Sequence, residues 1–253
     1  MPPLTDSLKE RKARREKLAV LTAYDYPTAR LLDEAGVDLL LVGDSLGMVV
    51  LGLPDTTGVT MDMMLHHAAA VRRGAKRAIV VVDLPYGSYT TPDQALANAQ
   101  KLVQAGADAV KLEGGLAMVE QVHAITQAGI AFVGHLGMLP QSIREEGAYR
   151  KKGKTEADAA RLLEDALALQ KAGAAAIVLE SMVETVADTI TQAIDIPTIG
   201  IGAGRGCDGQ VLVTPDLVGG FPWFRPPFAK SQANIAMEIT RAVRDYIADV
   251  KGD

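Results

Sequence analysis

The sequence predicts a (β/α)8 barrel, an α/β fold, on three observations. Short apolar runs of Val, Ile, Leu and Ala recur without polar alternation, as in strands buried on both faces of a parallel sheet. Helical segments between them stop in a small or basic residue plus glycine: EAG at Gly36, RRG at Gly74, QAG at Gly106 and Gly129, KAG at Gly173. Five strands run straight into charged or polar groups, in LLLVGDS, IVVVDLPYG, AVKLEGG, FVGHLG and IVLES. Parallel strands joined by helices present all their C-terminal ends on one side, where such barrels build active sites. A carboxylate is costly to desolvate unless it is paired or binds a metal, so the chain reads as an enzyme. An open doubly wound sheet is the alternative architecture.

In chain order, the basic opening LKERKARREK reads as a solvated helix. Strands follow near 18–23 and 38–43, the second delivering Asp44 and Ser45. The stretch MDMMLHHAAAVRR is helical, with Met61, Met63 and Met64 facing the barrel. His66 and His67 lack the HExxH spacing of zinc sites and read as packing or surface residues. A strand near 78–83 ends at Asp83. Thr91-Pro92-Asp93-Gln94 then marks a helix start: an N-cap, proline at the first helical position and a capping-box glutamine. A strand near 108–112 supplies Lys111 and Glu113, one near 130–134 leads to His135, and Thr155 opens the next helix. A strand near 175–180 ends at Glu180, and strands near 197–201 and 210–213 complete the eight. The helix SQANIAMEITRAVRDYIADV closes the chain.

Two connections, LGMVVLGLPDTTGVT and LGMLPQSIREEGAYRKKGK, exceed what a βα loop needs and leave the catalytic face, so they read as lids. The second, with Gly147 and Gly153, reads as the more mobile flap, its Arg144, Arg150, Lys151 and Lys152 able to meet an anion. The alternative is a solvated excursion that never touches ligand.

At 253 residues the chain matches one barrel of about 250, so a single domain over 1–253 with an N-terminal helical extension is expected, without linker or low-complexity tract. A net charge of −5 gives no reason to expect nucleic acid or an anionic membrane. Cys207 is the single cysteine, which rules out an internal disulfide or thiolate cluster and suits a reducing cytoplasm. No apolar run reaches the roughly 18 residues of a membrane span. No secretory core follows the basic start, and Asp6, Glu10 and Glu16 sit poorly with a transit peptide.

Asp44, Asp83 and Glu113 come from successive strands and converge over one side of the barrel mouth. Carboxylates that close repel unless a cation lies between them, and oxygen-only ligation points to Mg2+ before Mn2+ or Ca2+. Magnesium fills its octahedron with water and substrate oxygens, which suits a bidentate 2-oxo acid. A salt-bridge network with Lys111 is the alternative. GIGAGRG looks like a dinucleotide fingerprint, but DGQVLV after it reads as a strand, and a Rossmann glycine turn must open a helix.

Seven segments carry a resemblance: LTAYDYPTARLLDEAGVDLLLVGDSLGMVVLG, GVTMDMMLHH, VVDLPYGSY, AVKLEGG, VGHLGMLPQS, IVLES and IGIGAGRGCDGQVLV. From about residue 18 to 230 the chain resembles the ketopantoate (3-methyl-2-oxobutanoate) hydroxymethyltransferase family. The resemblance implies a barrel of the phosphoenolpyruvate/pyruvate type and the first committed step of pantothenate synthesis. There 5,10-methylenetetrahydrofolate gives a one-carbon unit to 3-methyl-2-oxobutanoate, forming 2-dehydropantoate and tetrahydrofolate. It implies Mg2+ on Asp44, Asp83 and Glu113, substrate contacts from Asp44, Ser45, Asp83 and Lys111, and Glu180 as proton acceptor, with His135 an additional candidate. It also implies a homodecamer of two pentameric rings. One departure is RPPFAK, with Pro227 where the family shows lysine, after GGFPWF; it bears on folate-side or subunit contacts.

The chemistry agrees with the constellation. The carbon to be attacked carries one acidic proton next to a ketone, chelation stabilises the enolate, and Glu180 at the end of an apolar strand is placed as the base. Lys111 and Ser45 can anchor substrate oxygens. The rivals are a Schiff-base aldolase using Lys111, a related Mg2+-dependent phosphonomutase or carbon–carbon lyase that needs no folate, and a non-catalytic scaffold that kept the barrel.

Overall fold

The computed structural model describes residues 4–252. The chain divides into two compact units, Met1–Val211 and Leu212–Asp253. Eight parallel strands close into a barrel in sequence order: β1 Leu18–Thr22, β2 Leu39–Val42, β3 Ile79–Asp83, β4 Ala109–Lys111, β5 Ala131–Gly137, β6 Ala176–Glu180, β7 Thr198–Ile201 and β8 Gly209–Leu212. The (β/α)8 barrel expected from the sequence is therefore present, and the open sheet is not.

The apolar residues partition as an α/β barrel requires. One cluster, including Val20, Leu39, Val81, Val133, Val178 and Ile199, fills the barrel interior. A larger one joins the outward faces of the strands to the surrounding helices and includes Met64, with Met61 and Met63 packed against it. The interior cluster also contains Leu8 from the first helix, α1 (Leu4–Ala13), which is fully buried. The basic opening is thus solvated on one face only, where Lys9, Glu10, Arg14 and Arg15 are exposed. Arg11 pairs with Asp38 at 2.8 Å, and the Lys12 ammonium donates to the carbonyls of Thr191 (2.6 Å) and Ile196 (3.1 Å) and pairs with Asp208 at 3.1 Å. Those two charges are held near the strand N-termini, because Leu8 needs an apolar place and the basic groups beside it need acceptors.

The helix stops behave as predicted at Gly36, Gly106, Gly129 and Gly173, whose φ angles are +91°, +109°, +77° and +97°. Gly74 differs: it is the last residue of the helix Met61–Gly74, and a Cβ there would lie 2.6 Å from the Tyr26 carbonyl. Its glycine answers a close approach of backbone, not a left-handed turn. Thr91 caps the helix Pro92–Gln104 by accepting from Gln94 N, but Gln94 Oε1 closes its box one residue early, on Thr90 N at 2.8 Å.

β5 runs past the expected end at 134 because its rim stays paired, with His135 opposite Val178 and Gly137 opposite Glu180. Gly137 has φ +97°, and a side chain there would meet the Glu180 carbonyl at 2.2 Å. Between β7 and β8 no helix intervenes, as expected from the glycine-rich stretch. That stretch faces acids, since Glu184 Oε1 accepts from Arg205 N at 3.1 Å and a Cβ at Gly206 would strike Asp188. An anionic ligand has no welcome there.

The second unit contains two helices after the end of β8, Thr214–Val218 and Ile235–Lys251. The last begins at Ile235 and not at Ser231, because Asn234 caps it by accepting from Met237 N at 3.2 Å.

Candidate active site

The seven predicted residues meet at the C-terminal rim of the barrel, brought there by β2 to β6. Asp44 follows β2, and its backbone N–H donates to Asp83 Oδ2 at 3.1 Å. Asp83 Oδ1 lies 3.1 Å from Lys111 Nζ, and both side chains are buried. Lys111 Nζ is 3.3 Å from His135 Nδ1. His135 in turn reaches Glu113 Oε1 from Nδ1 at 3.5 Å and Glu180 Oε2 from Nε2 at 3.1 Å. The last is an ionic contact, since Nε2 has no aligned hydrogen-bond partner.

Ser45 stands at the N-cap of the short helix Leu46–Val49 but does not cap it. Its hydroxyl instead hydrogen-bonds the Tyr24 hydroxyl at 2.8 Å, which leaves it facing the site. Tyr24 is buried, which pushes its phenol up. His67 holds the Tyr24 backbone by a ring nitrogen on its carbonyl, so this histidine is a support and not a ligand.

Burial and the neighbouring Asp83 and Glu113 raise Asp44 well above the usual carboxylate range; burial raises Asp83 too, against the pull of Lys111. Burial opposes the Lys111 charge, yet Asp83, Glu113 and Asp44 outweigh it and hold the ammonium above its ordinary value. A lysine held protonated is a poor nucleophile, which argues against the Schiff-base rival. Burial and Lys111 also oppose protonation of His135, but Glu113 and Glu180 prevail and push it up to about 9. Four carboxylates therefore face two cations, Lys111 and His135. Among the described residues no three His, Cys, Asp or Glu side chains form a ready cage for a metal.

Sequence reasoning missed Tyr24, Tyr89 and Gln141. Tyr24 had a signal, since LAVLTAY is another apolar strand running into a polar group. Gln141 had none. It sits on the turn Pro140–Ser142, is buried, donates from Nε2 to Asp44 Oδ2 (2.7 Å), and accepts from the Tyr89 hydroxyl.

The segment after β5 is tied down at both ends, by Met138 N donating to the Glu180 carbonyl (2.9 Å) and Lys152 N to the Ser181 carbonyl (2.9 Å). Arg144 donates to both oxygens of Asp55 at 3.0 and 3.2 Å, joining the two long connections, and Lys152 pairs with Glu146 at 2.6 Å. Two of the four basic groups expected to meet an anion are thus engaged within the chain; Arg150 and Lys151 remain exposed.

Asp44, Asp83 and Glu113 are the residues that could hold a divalent cation, beside a Glu180 that His135 contacts. Comparisons with known proteins show the family. The profile of the family described as ketopantoate hydroxymethyltransferase matches residues 4–253. A 3-methyl-2-oxobutanoate hydroxymethyltransferase of Acetivibrio thermocellus is 54% identical over 249 residues, covering 98% of this chain and 88% of that protein. That of Ignicoccus hospitalis is 52% identical over 249 residues, covering 98% and 94%. Among solved structures, 2,3-dimethylmalate lyase, of the PEP mutase/isocitrate lyase superfamily, superposes with a TM-score of 0.62 at 19% identity, covering 100% of this chain and 89% of its own. Phosphonopyruvate hydrolase, solved with oxalate and Mg2+, gives a TM-score of 0.63 at 13% identity, with coverages of 99% and 87%.

Proposed function

The chain belongs to the ketopantoate hydroxymethyltransferase family and is an enzyme of pantothenate biosynthesis; on that premise we propose that it takes its one-carbon unit from 5,10-methylenetetrahydrofolate and works through an enolate of 3-methyl-2-oxobutanoate, with Mg2+ at the acidic site. The observation that carries the reading is the charge of the buried cluster, where Asp44, Asp83, Glu113 and Glu180 face, among the described residues, the two cations Lys111 and His135. Two negative charges stay uncompensated when all four acids are ionised, which matches one divalent cation.

The residues present fit that ion. Asp83 Oδ1 is buried without an aligned hydrogen-bond donor. Gly43 keeps clear the space where a Cβ would stand 3.0 Å from Ser45 Oγ and 3.6 Å from Asp83 Oδ2. Asp44 and Asp83 would hold it directly and Glu113 directly or through water, in keeping with a metal that takes one or two carboxylates and retains its waters. Phosphonopyruvate hydrolase, on the same fold, was solved with oxalate and Mg2+, which is in keeping with a divalent cation here. Bound there, Mg2+ would chelate the 2-oxo acid and stabilise the charge that develops on its keto oxygen.

The chain's own groups do the rest. Lys111 and Ser45 anchor substrate oxygens, with the Ser45 hydroxyl oriented by Tyr24. Glu180 takes the C3 proton, held in place by His135 at 3.1 Å. One water hydrates the methylene unit and its C–N bonds to tetrahydrofolate break, so that the carbanion adds to a carbon at the formaldehyde level and the alkoxide formed takes a proton, giving the hydroxymethyl group. The segment over 136–154 closes above the bound 2-oxo acid and keeps bulk water from it.

The last helix of the second unit has no buried residue and exposes Met237, Ile239, Val243, Tyr246 and Val250, which supports a homo-oligomer, the homodecamer implied by resemblance. Among the described residues no helix is long and apolar enough to cross a membrane, and the lone Cys207 is free and buried; both are consistent with a cytoplasmic enzyme.

The deciding experiment is turnover of 3-methyl-2-oxobutanoate with methylenetetrahydrofolate, with and without Mg2+. Product that requires both folate and metal is expected. Turnover that survives chelation, or borohydride trapping of a Lys111 adduct in chelator, would overturn the metal-enolate reading.

A further inference from the structure

Gln141 is not one of the strand-end residues that the sequence announces, yet it is 3% exposed and stands at the centre of the acidic cluster. Its backbone N–H donates to Glu113 Oε2 at 3.0 Å. Its side-chain amide donates to Asp44 Oδ2 at 2.7 Å and to the Leu84 carbonyl at 3.1 Å, and its carbonyl accepts from the Tyr89 hydroxyl. Its partners thus belong to the rims of β2, β3 and β4, while Gln141 itself rides on the segment after β5. A primary amide can donate to two acceptors and accept from a phenol without adding charge. A lysine or arginine here would compete with a cation for Asp44, and a glutamate would add one more carboxylate to a cluster already in excess.

We propose that Gln141 is a positioning residue for the acidic site: it fixes which oxygens of Asp44 and Glu113 are committed to the protein, and so makes closure of residues 136–154 and the ligand geometry of the carboxylates one event. This rests on the metal reading above. Hydrogen bonds to ionised carboxylates are the strong ones, and losing a partner of a metal ligand typically costs roughly 10- to 100-fold in metal affinity.

The test compares wild type, Gln141→Met and Tyr89→Phe. Methionine keeps the length and volume and removes the amide bonds; phenylalanine removes the phenol's bonds to the Gln141 carbonyl and the Glu113 backbone and leaves the amide bond to Asp44 in place. Three quantities are measured: Mg2+ affinity by calorimetry, hydrogen exchange over 136–154 without and with metal, and kcat and KM for exchange of the C3 proton of 3-methyl-2-oxobutanoate. Gln141→Met should bind Mg2+ roughly 10- to 100-fold more weakly, exchange faster over 136–154 and lose kcat more than it gains KM. Tyr89→Phe should speed exchange in the segment and leave Mg2+ affinity at the wild-type value. A methionine variant with a loosened segment but wild-type Mg2+ affinity and kcat would make Gln141 a loop anchor only and overturn the proposal, as would no change at all. Should that variant fail to fold, Gln141→Ala replaces it, with the same loss of affinity expected and unchanged affinity overturning the proposal. A wild-type protein that binds no Mg2+ overturns the metal reading by itself, and the inference is then decided by kcat and segment exchange in the variant.

Discussion

Replacing Glu180 by glutamine isolates the proton-abstraction step. Glu180 ends β6 at the rim, with Oε2 3.1 Å from His135 Nε2. Glutamine keeps the size and an oxygen beside His135, so the substrate should bind as before, and Mg2+ binding should weaken only by the loss of one surplus negative charge. It cannot take a proton. A positioned general base contributes roughly 10²- to 10⁴-fold, about 3–5 kcal/mol of barrier at about 1.4 kcal/mol per decade. The assay is NMR-monitored exchange of the C3 proton of 3-methyl-2-oxobutanoate with deuterated water, with Mg2+ and without folate, so that deprotonation is read apart from one-carbon transfer. Exchange should slow by that factor. A second reading checks the geometry: His135 is pushed up to about 9 partly by Glu180, so loss of that charge should move its titration downward. A variant that exchanges at the wild-type rate would refute the reasoning and move the base elsewhere, with His135 the next candidate.

Further expectations follow from the same network. Asp83→Asn should weaken Mg2+ binding in calorimetry with little loss of thermal stability, since Lys111 keeps Glu113 and Asp44 as neighbours while the excess negative charge falls; undiminished affinity would remove Asp83 from the metal site. His135 has a folded-state value near 9 against an ordinary 6.5, so its contribution to stability is complete below about 6.5 and lost as pH rises through about 9. That is on the order of 3 kcal/mol, read by denaturant unfolding across this window, and His135→Gln should abolish the slope. Hydrogen exchange across 136–154 should slow when Mg2+ and 3-methyl-2-oxobutanoate are added together; unchanged exchange would leave the segment a bystander.

What the sequence determined by itself was local in origin. Seven of the strands lie within one or two residues of their expected places, and β5 departs only at its C-terminal end. Apolar runs, glycine stops and threonine caps act over a few neighbouring residues and can be read in order along the chain. The same holds for Asp44, Ser45, Asp83, Lys111, Glu113, His135 and Glu180, each announced by an apolar strand ending in a polar group. Tertiary structure decided the rest. The bond from Gln141 to Asp44 spans 97 positions of sequence, and that from Lys12 to the Thr191 carbonyl spans 179. Nothing local marks a glutamine that will be buried among carboxylates, or a lysine that will tie loops at the barrel floor. Only closure of the barrel, which stacks the strand ends into one rim and lets α1 carry Leu8 into the interior, gives those side chains their partners.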